Sequence, residues 1–431
     1  MRVAIAGYGM EGEASYNYYV ARGDEVIILD ERHELGKQAP TGSHVILGSD
    51  AFEELGSYDL VIRTPSLTPL KLNGAKKIWS ATNEFFAQCR APIVAITGTK
   101  GKGTTSSLIA SILRSAGYNV HLVGNIGTAA LEVLPRITEN DIVVFEISSF
   151  QLWDIERSPH VAVVLMIEPD HLNIHQDFDD YIAAKAHIRM YQNKDDICIY
   201  HPSNPYSFRV AQSSAEGEMI RYSSEDKGSV HVIDGNFVCN EQIICSVDAL
   251  QLVGGHNIEN ACAAISAASV YTADHNAIAQ GLRQFTGLPH RIQFVREHAD
   301  ILYYNDSYSS APAATIAALQ SFSQPIVLIA GGSDKQADFS ELAQTVQSRP
   351  SVTYVLLMGQ TKDLMAQALD SVGFVGYEIC DERSLEPIFR RAVAQATVGS
   401  VVLLSPGCAS FDMFENFTDR GQQFCKLVEA L

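Results

Sequence analysis

Apolar, β-branched runs recur along the first 91 residues of the chain, and polar segments of helical length separate them. These runs predict short strands at residues 2–7, 25–30, 45–48, 60–64 and 77–82. Strands that alternate with helices form βαβ units, which build a parallel sheet. The pattern therefore predicts an α/β protein that begins with a Rossmann-like domain, residues 1–91.

The same alternation starts again at residue 92 and continues to residue 286. Strands are predicted at PIVAIT, NVHLVG, IVVFEIS, VAVVLMI and DICIY, and a helix is predicted from Thr105 to Ala116. Between Ser223 and Val247, Gly, Asp and Asn punctuate shorter strands such as VHVI and FVCN, which indicates a small antiparallel addition. We interpret residues 92–286 as a second α/β domain.

A third series of apolar runs follows the turn-rich segment GLPHR, Gly287 to Arg291. Its predicted strands are ILYYNDS, IVLIAGG, YVLLMG and VVLLSPG. We therefore predict a C-terminal Rossmann-like domain, residues 287–431, and place a hinge at GLPHR.

Length and composition agree with three globular domains. The chain has 431 residues, of which 46% are hydrophobic and 19% charged, a balance typical of buried cores. The formal net charge of −19 argues against nucleic-acid or anionic membrane partners, so anionic ligands need local pockets. We see no signal peptide and no apolar run of membrane-spanning length, and expect a cytoplasmic location. The eight cysteines include no CxxC pair, which favours reduced thiols over zinc ligands.

A glycine fingerprint follows the first predicted strand. Gly7, Gly9 and Gly12 form GxGxxG, and Asp30 ends the second strand where a ribose-binding acid would lie. The glycines allow a pyrophosphate to approach a helix N-terminus, but every nucleotide diphosphate has that group. A dinucleotide, another nucleotide diphosphate and a purely structural turn all remain open from this motif.

The segment TGTKGKGTT has a more specific context, because it lies directly between the strand PIVAIT and a predicted helix. Its glycines would let backbone N–H groups converge on phosphate oxygens, and Lys102 would supply charge to the β- and γ-phosphates. An incidental lysine in a glycine-rich turn is the alternative. Gly103 stands where a P-loop usually has Ser or Thr, so Thr104 is the nearest hydroxyl for Mg²⁺. The predicted ATP-binding loop is Gly98, Thr99, Lys100, Gly101, Lys102, Gly103, Thr104 and Thr105.

Further along the second domain, three side chains are candidate metal ligands. Glu146 ends the strand IVVFE, His171 follows the strand VAVVLMI, and Lys185 lies in the helix-like YIAAKAHI. Each alone has an ordinary interpretation, as a strand-end acid, a structural histidine and a solvated lysine respectively.

Together these motifs resemble the Mur ligase family over essentially the whole chain. The resemblance rests on GTKGK, Glu146 on the following strand, the DH of EPDHLNIH and the lysine of YIAAK. It implies a central P-loop ATPase-type domain, ATP, two Mg²⁺ ions, and a carbamate on Lys185 beside His171. Lys102, Glu146, His171 and Lys185 are the implied catalytic residues; Thr104, Glu146, His171 and carbamylated Lys185 are the implied metal ligands.

Three longer segments are similar to the glutamate-adding members of this family. They are VGNIG at residues 123–127, GLPHR at 287–291, and SPGCASFDMFENFTDRGQQF at 405–424. The resemblance implies an ADP-forming ligase that adds glutamate, with the D-enantiomer expected, to UDP-N-acetylmuramoyl-L-alanine through an acyl phosphate. Such a ligase serves peptidoglycan synthesis, and with it cell shape and division. A monomer is expected.

The same resemblance assigns the remaining contacts. The nucleotide is expected to meet Asn257, Asn260, Arg291 and Asp306. The UDP-linked substrate is expected to meet Gly9, Met10, Glu11, Gly12, Asp30, Glu31, Arg32, Asn125, Ser148 and Gln151. The incoming glutamate is expected to meet Ser310, Lys335, Ser410 and the backbone near Phe417.

Two departures leave alternatives open. In YYNDSYSSAP, Tyr308 takes the place of a lysine usual in the family, which opens an L-glutamate-adding variant. The form GTKGKGT is also similar to folylpolyglutamate synthases, although these resemble the chain only from the P-loop onward. An inactive binding relative is a third alternative. A nicotinamide-dependent dehydrogenase, suggested by GxGxxG, leaves the P-loop and Glu146 without a role.

Overall fold

The computed structural model describes residues 1–214, 216–225 and 228–431. These residues form parallel sheets flanked by helices, which confirms the predicted α/β class. The strands are β1 Arg2–Ala6, β2 Glu25–Asp30, β3 His44–Leu47, β4 Leu60–Arg63, β5 Ile78–Ser80, β6 Ile93–Thr97, β7 Val120–Gly124, β8 Ile142–Glu146, β9 Val161–Val164, β10 Ile197–Tyr200, β11 Glu218–Arg221, β12 Val230–Ile233, β13 Asn236–Cys239, β14 Gln242–Ser246, β15 Gln293–His298, β16 Ile301–Asn305, β17 Ile326–Gly331, β18 Val352–Met358, β19 Tyr377–Ile379 and β20 Val401–Leu404. The helices are α1 Met10–Ala21, α2 Ala81–Gln88, α3 Lys102–Ser115, α4 Ala130–Val133, α5 Ser149–Leu152, α6 Phe178–Met190, α7 Pro205–Ala211, α8 Gly255–Ala268, α9 His275–Gln284, α10 Pro312–Gln320, α11 Ser340–Ser348, α12 Lys362–Ser371, α13 Leu385–Gln395 and α14 Phe417–Glu429.

The first sheet is entirely parallel, in the order β3-β2-β1-β4-β5. Its five strands confirm the predicted ones to within two residues at each end. Successive residues of β1 point to opposite faces, so Ala4 joins one buried cluster while Val3 and Ile5 join another. Burial on both faces explains why these strands read as continuous apolar runs.

The second sheet is also parallel, in the order β11-β10-β9-β6-β8-β7. Strand β9 ends at Val164, three residues before the end of the predicted run VAVVLMI. Beyond it the Met166 carbonyl oxygen accepts a hydrogen bond from the Thr99 N–H (3.0 Å), so the chain turns towards the glycine-rich loop after β6. The small antiparallel addition is confirmed as the sheet β12-β13-β14; residues 226 and 227 of that segment lie outside the described residues.

These two sheets pack together in one compact unit, residues 1–250 and 256–285. Helix α2 places Phe85 and Phe86 against Phe145 of β8, with ring centroids 5.6 Å apart in both pairs. Each fully buried phenylalanine contributes about 1.5–3 kcal/mol to folding. The packing explains why the first sheet has a fixed position against the second.

A second compact unit contains residues 251–255 and 286–431. Its sheet has the order β15-β16-β20-β17-β18-β19, and every pair is parallel except β15 with β16. Strand β15 was not predicted, because its QFVREH sequence mixes polar and apolar residues and lies half exposed at the sheet edge. Among the described residues, none of the helices combines the length and apolar character needed to cross a membrane.

Candidate active site

The turn between β6 and α3 is built around glycines that cannot be replaced freely. Gly101 has φ +82° and caps the N-terminus of α3, and a Cβ there would lie 2.3 Å from Oδ1 of Asn260. The Lys102 amine donates to the carbonyl oxygens of Gly98 (3.1 Å) and Thr99 (3.0 Å). The loop therefore encloses its own lysine at a helix N-terminus, a position that favours anions.

Helix α8 forms one side of this turn. The Asn260 amide donates to Oδ1 of Asn257 (3.1 Å), and its Oδ1 accepts from the Thr105 hydroxyl (3.4 Å). Both asparagines are buried. The structure thus brings Asn257 and Asn260, two predicted nucleotide contacts, to the predicted phosphate loop, although 155 positions separate Thr105 from Asn260.

Lys185 reaches the same turn from α6. Its amine lies 3.0 Å from the Gly98 carbonyl oxygen, 3.3 Å from the Thr97 hydroxyl and 4.4 Å from the centre of the Tyr181 ring. The side chain is fully buried. Burial, and after it the charge of Lys102, hold the pKa of Lys185 well below its ordinary value. The lowered pKa favours the neutral form of the amine, which is its nucleophilic form.

Glu146 ends β8 opposite Ile96 of β6, so the parallel register sets it beside the same turn. The side chain is half-buried, as is that of Thr104 in the first turn of α3. The Glu146 carbonyl oxygen accepts from the Asn125 N–H (3.1 Å) and would lie 2.2 Å from a Cβ at Gly124. The close approach explains why position 124 in VGNIG is a glycine, and it brings Asn125 beside Glu146, the candidate metal ligand.

His171 lies in the loop between β9 and α6, in a left-handed conformation with φ +55°. Its side chain is 46% exposed, and its ring centroid lies 5.0 Å from that of Phe150. His175, four residues on, is buried and was not among the predicted site residues. Its Nδ1 lies 2.8 Å from Oδ2 of Asp180 and its Nε2 lies 3.0 Å from the Ser149 hydroxyl. Burial lowers the pKa of His175.

Two glycines of the N-terminal fingerprint are required by close packing. A Cβ at Gly7, where φ is +88°, would lie 2.2 Å from the Thr64 hydroxyl, and one at Gly12 would lie 2.4 Å from the Gly7 carbonyl oxygen. Around Gly9, which caps α1, there is open space for a Cβ. Gly9 is therefore the position of this motif at which the fold itself leaves room.

Asp30, the predicted ribose acid, accepts hydrogen bonds from the loops that follow β1 and β2. Its Oδ2 accepts from the Tyr8 N–H (3.0 Å) and its Oδ1 from the Arg32 N–H (3.0 Å). The Arg32 guanidinium also donates to both oxygens, at 2.9 and 2.7 Å. Although burial opposes the charged form, these hydrogen bonds lower the pKa of Asp30. Asp30 thus holds Arg32 in place, and the neighbouring Glu31 pairs with Lys71 at 2.6 Å.

Gln151 joins the two sheets at the predicted substrate site. Its Oε1 accepts from the Ser148 N–H (2.9 Å), and its amide donates to the Glu11 carboxylate of α1. Burial raises the pKa of Glu11, an effect that Gln151 and Arg63 oppose. The structure therefore brings together Glu11, Ser148 and Gln151, which the sequence places in two separate segments.

Beside this contact, the buried Arg63 forms an ion pair with the half-buried Asp154, which the sequence did not reveal. The Arg63 guanidinium donates twice to the Asp154 carboxylate, both at 2.7 Å, and to the Phe150 carbonyl oxygen at 2.8 Å. Asn83 of α2 donates to the Asp154 carbonyl oxygen (2.7 Å) and accepts from the Glu156 N–H (2.8 Å). The first sheet thus holds the segment that follows Glu146 at several points.

In the second unit, Asp306 follows β16 and is buried. Its Oδ2 accepts from the hydroxyls of Ser309 (2.6 Å) and Ser405 (2.7 Å), and its Oδ1 accepts from the Ile292 N–H (3.1 Å). Despite these donors, burial raises the pKa of Asp306 to about 6. The carboxyl group connects the loops after β16 and β20 to the residue that follows Arg291.

Arg420 organises the same end of this sheet, and the sequence did not predict it. Its guanidinium donates to the hydroxyl and carbonyl oxygens of Ser307 (both 2.9 Å) and to the Cys408 carbonyl oxygen (3.1 Å). The Ser307 hydroxyl donates to the Phe417 carbonyl oxygen (2.8 Å). Burial lowers the pKa of Arg420 to about 10, which leaves it charged at neutral pH.

Tyr308, which stands where the family usually has a lysine, contacts Arg291 and Phe417. The Arg291 guanidinium carbon lies 3.8 Å from the centre of the Tyr308 ring, and the ring packs edge-on against Phe417 at 5.2 Å. A predicted nucleotide contact and a predicted glutamate contact therefore meet on this tyrosine. Ser310, Lys335 and Ser410 follow β16, β17 and β20, so they lie outside the carboxyl ends of adjacent strands, where ligands bind in α/β sheets. Ser410 is buried, whereas Ser310 and Lys335 are exposed.

Comparison with known proteins identifies the family of this chain. A family described as "Mur ligase middle domain" matches residues 96–268, and one described as "Mur ligase, glutamate ligase domain" matches residues 290–408. A protein of Clostridium tetani named UDP-N-acetylmuramoylalanine--D-glutamate ligase is 35% identical over 451 residues, covering 100% of this chain and 97% of its own. The protein of the same name from Symbiobacterium thermophilum is 35% identical over 455 residues, covering 100% and 98%.

The fold is similar to that of a crystal structure of MurF from Acinetobacter baumannii, with a TM-score of 0.66. The two chains are 17% identical, and the match covers 99% of this chain and 93% of the other. Full-length similarity to the two ligases above is what decides the classification. The chain belongs to the Mur ligase family.

Proposed function

We propose that this chain is an ATP-dependent, ADP-forming ligase that joins D-glutamate to UDP-N-acetylmuramoyl-L-alanine in peptidoglycan precursor synthesis. The relative from Clostridium tetani is named for this reaction and aligns along the whole chain. The observation that carries the proposal is that Lys102 and Lys185 both donate to the Gly98 carbonyl oxygen. The loop suited to a triphosphate and a buried, reactive lysine therefore share one site.

The reaction needs an activated acid, because a carboxylate is a poor electrophile. One oxygen of the alanine carboxylate attacks the γ-phosphorus of ATP, and ADP leaves. The glutamate amine then attacks the acyl carbon, loses a proton, and expels the former carboxylate oxygen with phosphate. Lys102 and the N–H groups at the start of α3 would stabilise the charge of the moving phosphoryl group.

Mg²⁺ prefers oxygen ligands, and the side chains around the loop can supply them together with the phosphates. Among the described residues, no group of three or more His, Cys, Asp and Glu side chains could hold a metal. Oxygen ligands would therefore come from Glu146, the Thr104 hydroxyl and the phosphates, and, beside His171, from a carbamate on Lys185. The lowered pKa of Lys185 supports the carbamate, because only a neutral amine adds to CO₂ with loss of a proton. Bound Mg²⁺ would neutralise phosphate charge.

The first sheet would bind the UDP end of the acceptor. The open approach at Gly9 suits a pyrophosphate at the N-terminus of α1, and Asp30 holds the exposed Arg32 beside it. The Glu11–Gln151 contact would place the sugar end near Asn125 and Glu146. Nothing in this arrangement needs a nicotinamide.

The second unit would bind glutamate through Ser310, Lys335, Ser410 and the backbone near Phe417, and the nucleotide through Arg291 and Asp306. Tyr308 supplies an aromatic platform for Arg291 in place of a lysine. An L-glutamate-adding ligase is the alternative that this departure supports.

The proposed domains are residues 1–91, 92–286 and 287–431. The three larger sheets, each with its own buried strands, support this division, although the first two sheets share a core. We also propose a cytoplasmic, monomeric enzyme with no nucleic-acid or membrane partner.

The purified protein should be incubated with ATP, Mg²⁺ and UDP-N-acetylmuramoyl-L-alanine, with D-glutamate or L-glutamate, and separately with a folate acceptor. Mass spectrometry should find the D-glutamyl product together with ADP. Turnover of L-glutamate alone would change the proposed stereochemistry, and turnover of folate alone would overturn the proposal.

Lys102→Ala should abolish ADP release, since it removes the charge at the phosphate loop. Lys194→Ala, an exposed lysine in the turn before β10, is the matched control and should leave the rate unchanged. Equal rates for the two variants would contradict the role of the loop.

A further inference from the structure

His175 connects three segments that carry proposed site residues. Ser149, bonded to Nε2, begins the short helix that follows Glu146 and contains Gln151. Asp180, bonded to Nδ1, lies in the first turn of α6, which also carries Lys185. His175 itself lies in the loop that contains His171. One imidazole therefore fixes the spacing between these segments.

The hydrogen bonds around the ring have a defined direction. Ionised Asp180 can only accept, so Nδ1 of His175 donates to it. In the neutral ring Nε2 then accepts, and the Ser149 hydroxyl donates to it. The chain from Ser149 through His175 to Asp180 thus sets the orientation of both the ring and the hydroxyl.

Aromatic side chains enclose the imidazole. Phe150 stacks on it with centroids 5.3 Å apart and planes at 12°, Trp153 lies at 4.4 Å, and Tyr181 meets it edge-on at 5.2 Å. The Phe150 ring also lies 5.0 Å from that of His171. Displacement of His175 would therefore free Phe150 and, through it, the candidate metal ligand His171.

Ser149, His175 and Asp180 have the connectivity of a nucleophilic triad, but the burial of Ser149 and His175 excludes that use. Ser149 is 2% exposed and His175 is 2% exposed. A nucleophile needs a reacting carbonyl within about 3 Å of its oxygen. The Ser149 hydroxyl instead bonds to His175 and so holds the helix that contains Gln151.

We infer that His175 is a positioning residue for the ligase reaction, acting through Ser149 and Phe150 on the acceptor and metal contacts. The inference rests on the proposed function. The inference concerns the acceptor end of the site, so removal of the hydrogen bonds should raise the KM for the acceptor more than the KM for glutamate.

The test compares His175→Phe, Ser149→Ala and the double variant, with Ser149→Thr as the conservative change. Each single variant should raise the KM for the UDP-linked acceptor and the half-saturating Mg²⁺ concentration about tenfold, with the KM for glutamate and kcat within about threefold. Ser149→Thr, which keeps the hydroxyl, should stay near wild type. The double variant should be no worse than His175→Phe, because the two changes break the same bond.

His160→Gln is the matched control. His160 pairs with Asp196 at 3.0 Å. The two residues directly precede β9 and β10, so this pair lies at the amino-terminal ends of the strands, away from the site. It should leave the acceptor KM unchanged while thermal unfolding reports any loss of stability. Additive effects of His175→Phe and Ser149→Ala, or an equal rise in all KM values, would overturn the inference, as would labelling of Ser149 by a fluorophosphonate.

Calorimetric binding of UDP-N-acetylmuramoyl-L-alanine without ATP separates this inference from the proposed function. If wild type binds the acceptor but makes no product, the proposed function fails, and the inference still predicts weaker binding by His175→Phe. If wild type does not bind the acceptor, both fail.

Discussion

The amine of Lys185 lies 3.0 Å from the carbonyl oxygen of Gly98, inside the loop that the sequence predicts to hold phosphates. A buried lysine is rarely placed beside a second lysine unless one of them loses its charge. Here the pKa of Lys185 is well below its ordinary value, mainly through burial. The relationship makes Lys185 the most informative side chain to replace.

Lys185→Ala should lower the ligase rate by at least about a hundredfold, because it removes the proposed anionic metal ligand. Added formate or acetate should restore part of the activity by taking the place of the carbamate. Lys185→Arg should stay inactive with either anion, since its guanidinium fills the site. Steady-state ADP release measures all three. An Arg variant as active as wild type would contradict the carbamate.

Gly101→Ala should abolish nucleotide binding, because the new Cβ would lie 2.3 Å from Asn260 in a backbone conformation with φ +82°. Gly117→Ala is the matched control, since Gly117 has φ +91° but open space around it. It should cost about 1 kcal/mol of stability and leave ATP binding intact. Fluorescent nucleotide titration distinguishes the two, and equal affinity in both variants would contradict the loop assignment.

Arg63→Ala should destabilise the first unit by up to about 3 kcal/mol, because Asp154, whose side chain is only 21% exposed, would lose its partner. Arg209→Ala breaks an ion pair of similar length, 2.6 Å, whose side chains are 57% and 75% exposed. That control should cost less than about 1 kcal/mol. Urea unfolding of both variants is the measurement. Similar losses would mean that the Arg63 pair is not a structural link between the sheets.

Asp306 predicts a pH dependence of stability. Burial raises its pKa from 3.8 to about 6, so between these values the folded protein binds more protons than the unfolded chain. Its contribution to stability is therefore fully present below 3.8 and is lost as the pH rises through about 6.

Asp306→Asn removes this titration. The stability of wild type relative to the variant should fall by up to about 3 kcal/mol between about pH 4 and about pH 7. Urea unfolding at several pH values checks it. A difference that does not change with pH would show that Asp306 does not have the raised pKa.

The strands and the phosphate loop could be predicted because each is a local pattern. Apolar runs such as IVVFE and VVLL form parallel strands buried on both faces, and TGTKGKGTT lies directly between a strand and a helix. Strand β15 could not be predicted, because an exposed edge strand does not need a continuous apolar run.

The side chains that support the site could not be predicted either, because their contacts join residues far apart in the sequence. Arg63 meets Asp154 across 91 positions, and Arg420 meets Ser307 across 113. In the sequence each is one arginine among many, and only the fold shows that it is buried with its donors satisfied. The contacts of Asp30 with Tyr8 and Arg32 likewise come from the fold, whereas its predicted role as a ribose contact stays a prediction.

The most direct test of the central claim follows the oxygen atoms of the acceptor. UDP-N-acetylmuramoyl-L-alanine labelled with ¹⁸O in its terminal carboxylate should be turned over with ATP, Mg²⁺ and D-glutamate, and the released phosphate examined by ³¹P NMR. The acyl-phosphate route predicts that one ¹⁸O atom appears in each phosphate. Unlabelled phosphate, or no phosphate with any acceptor, would contradict it.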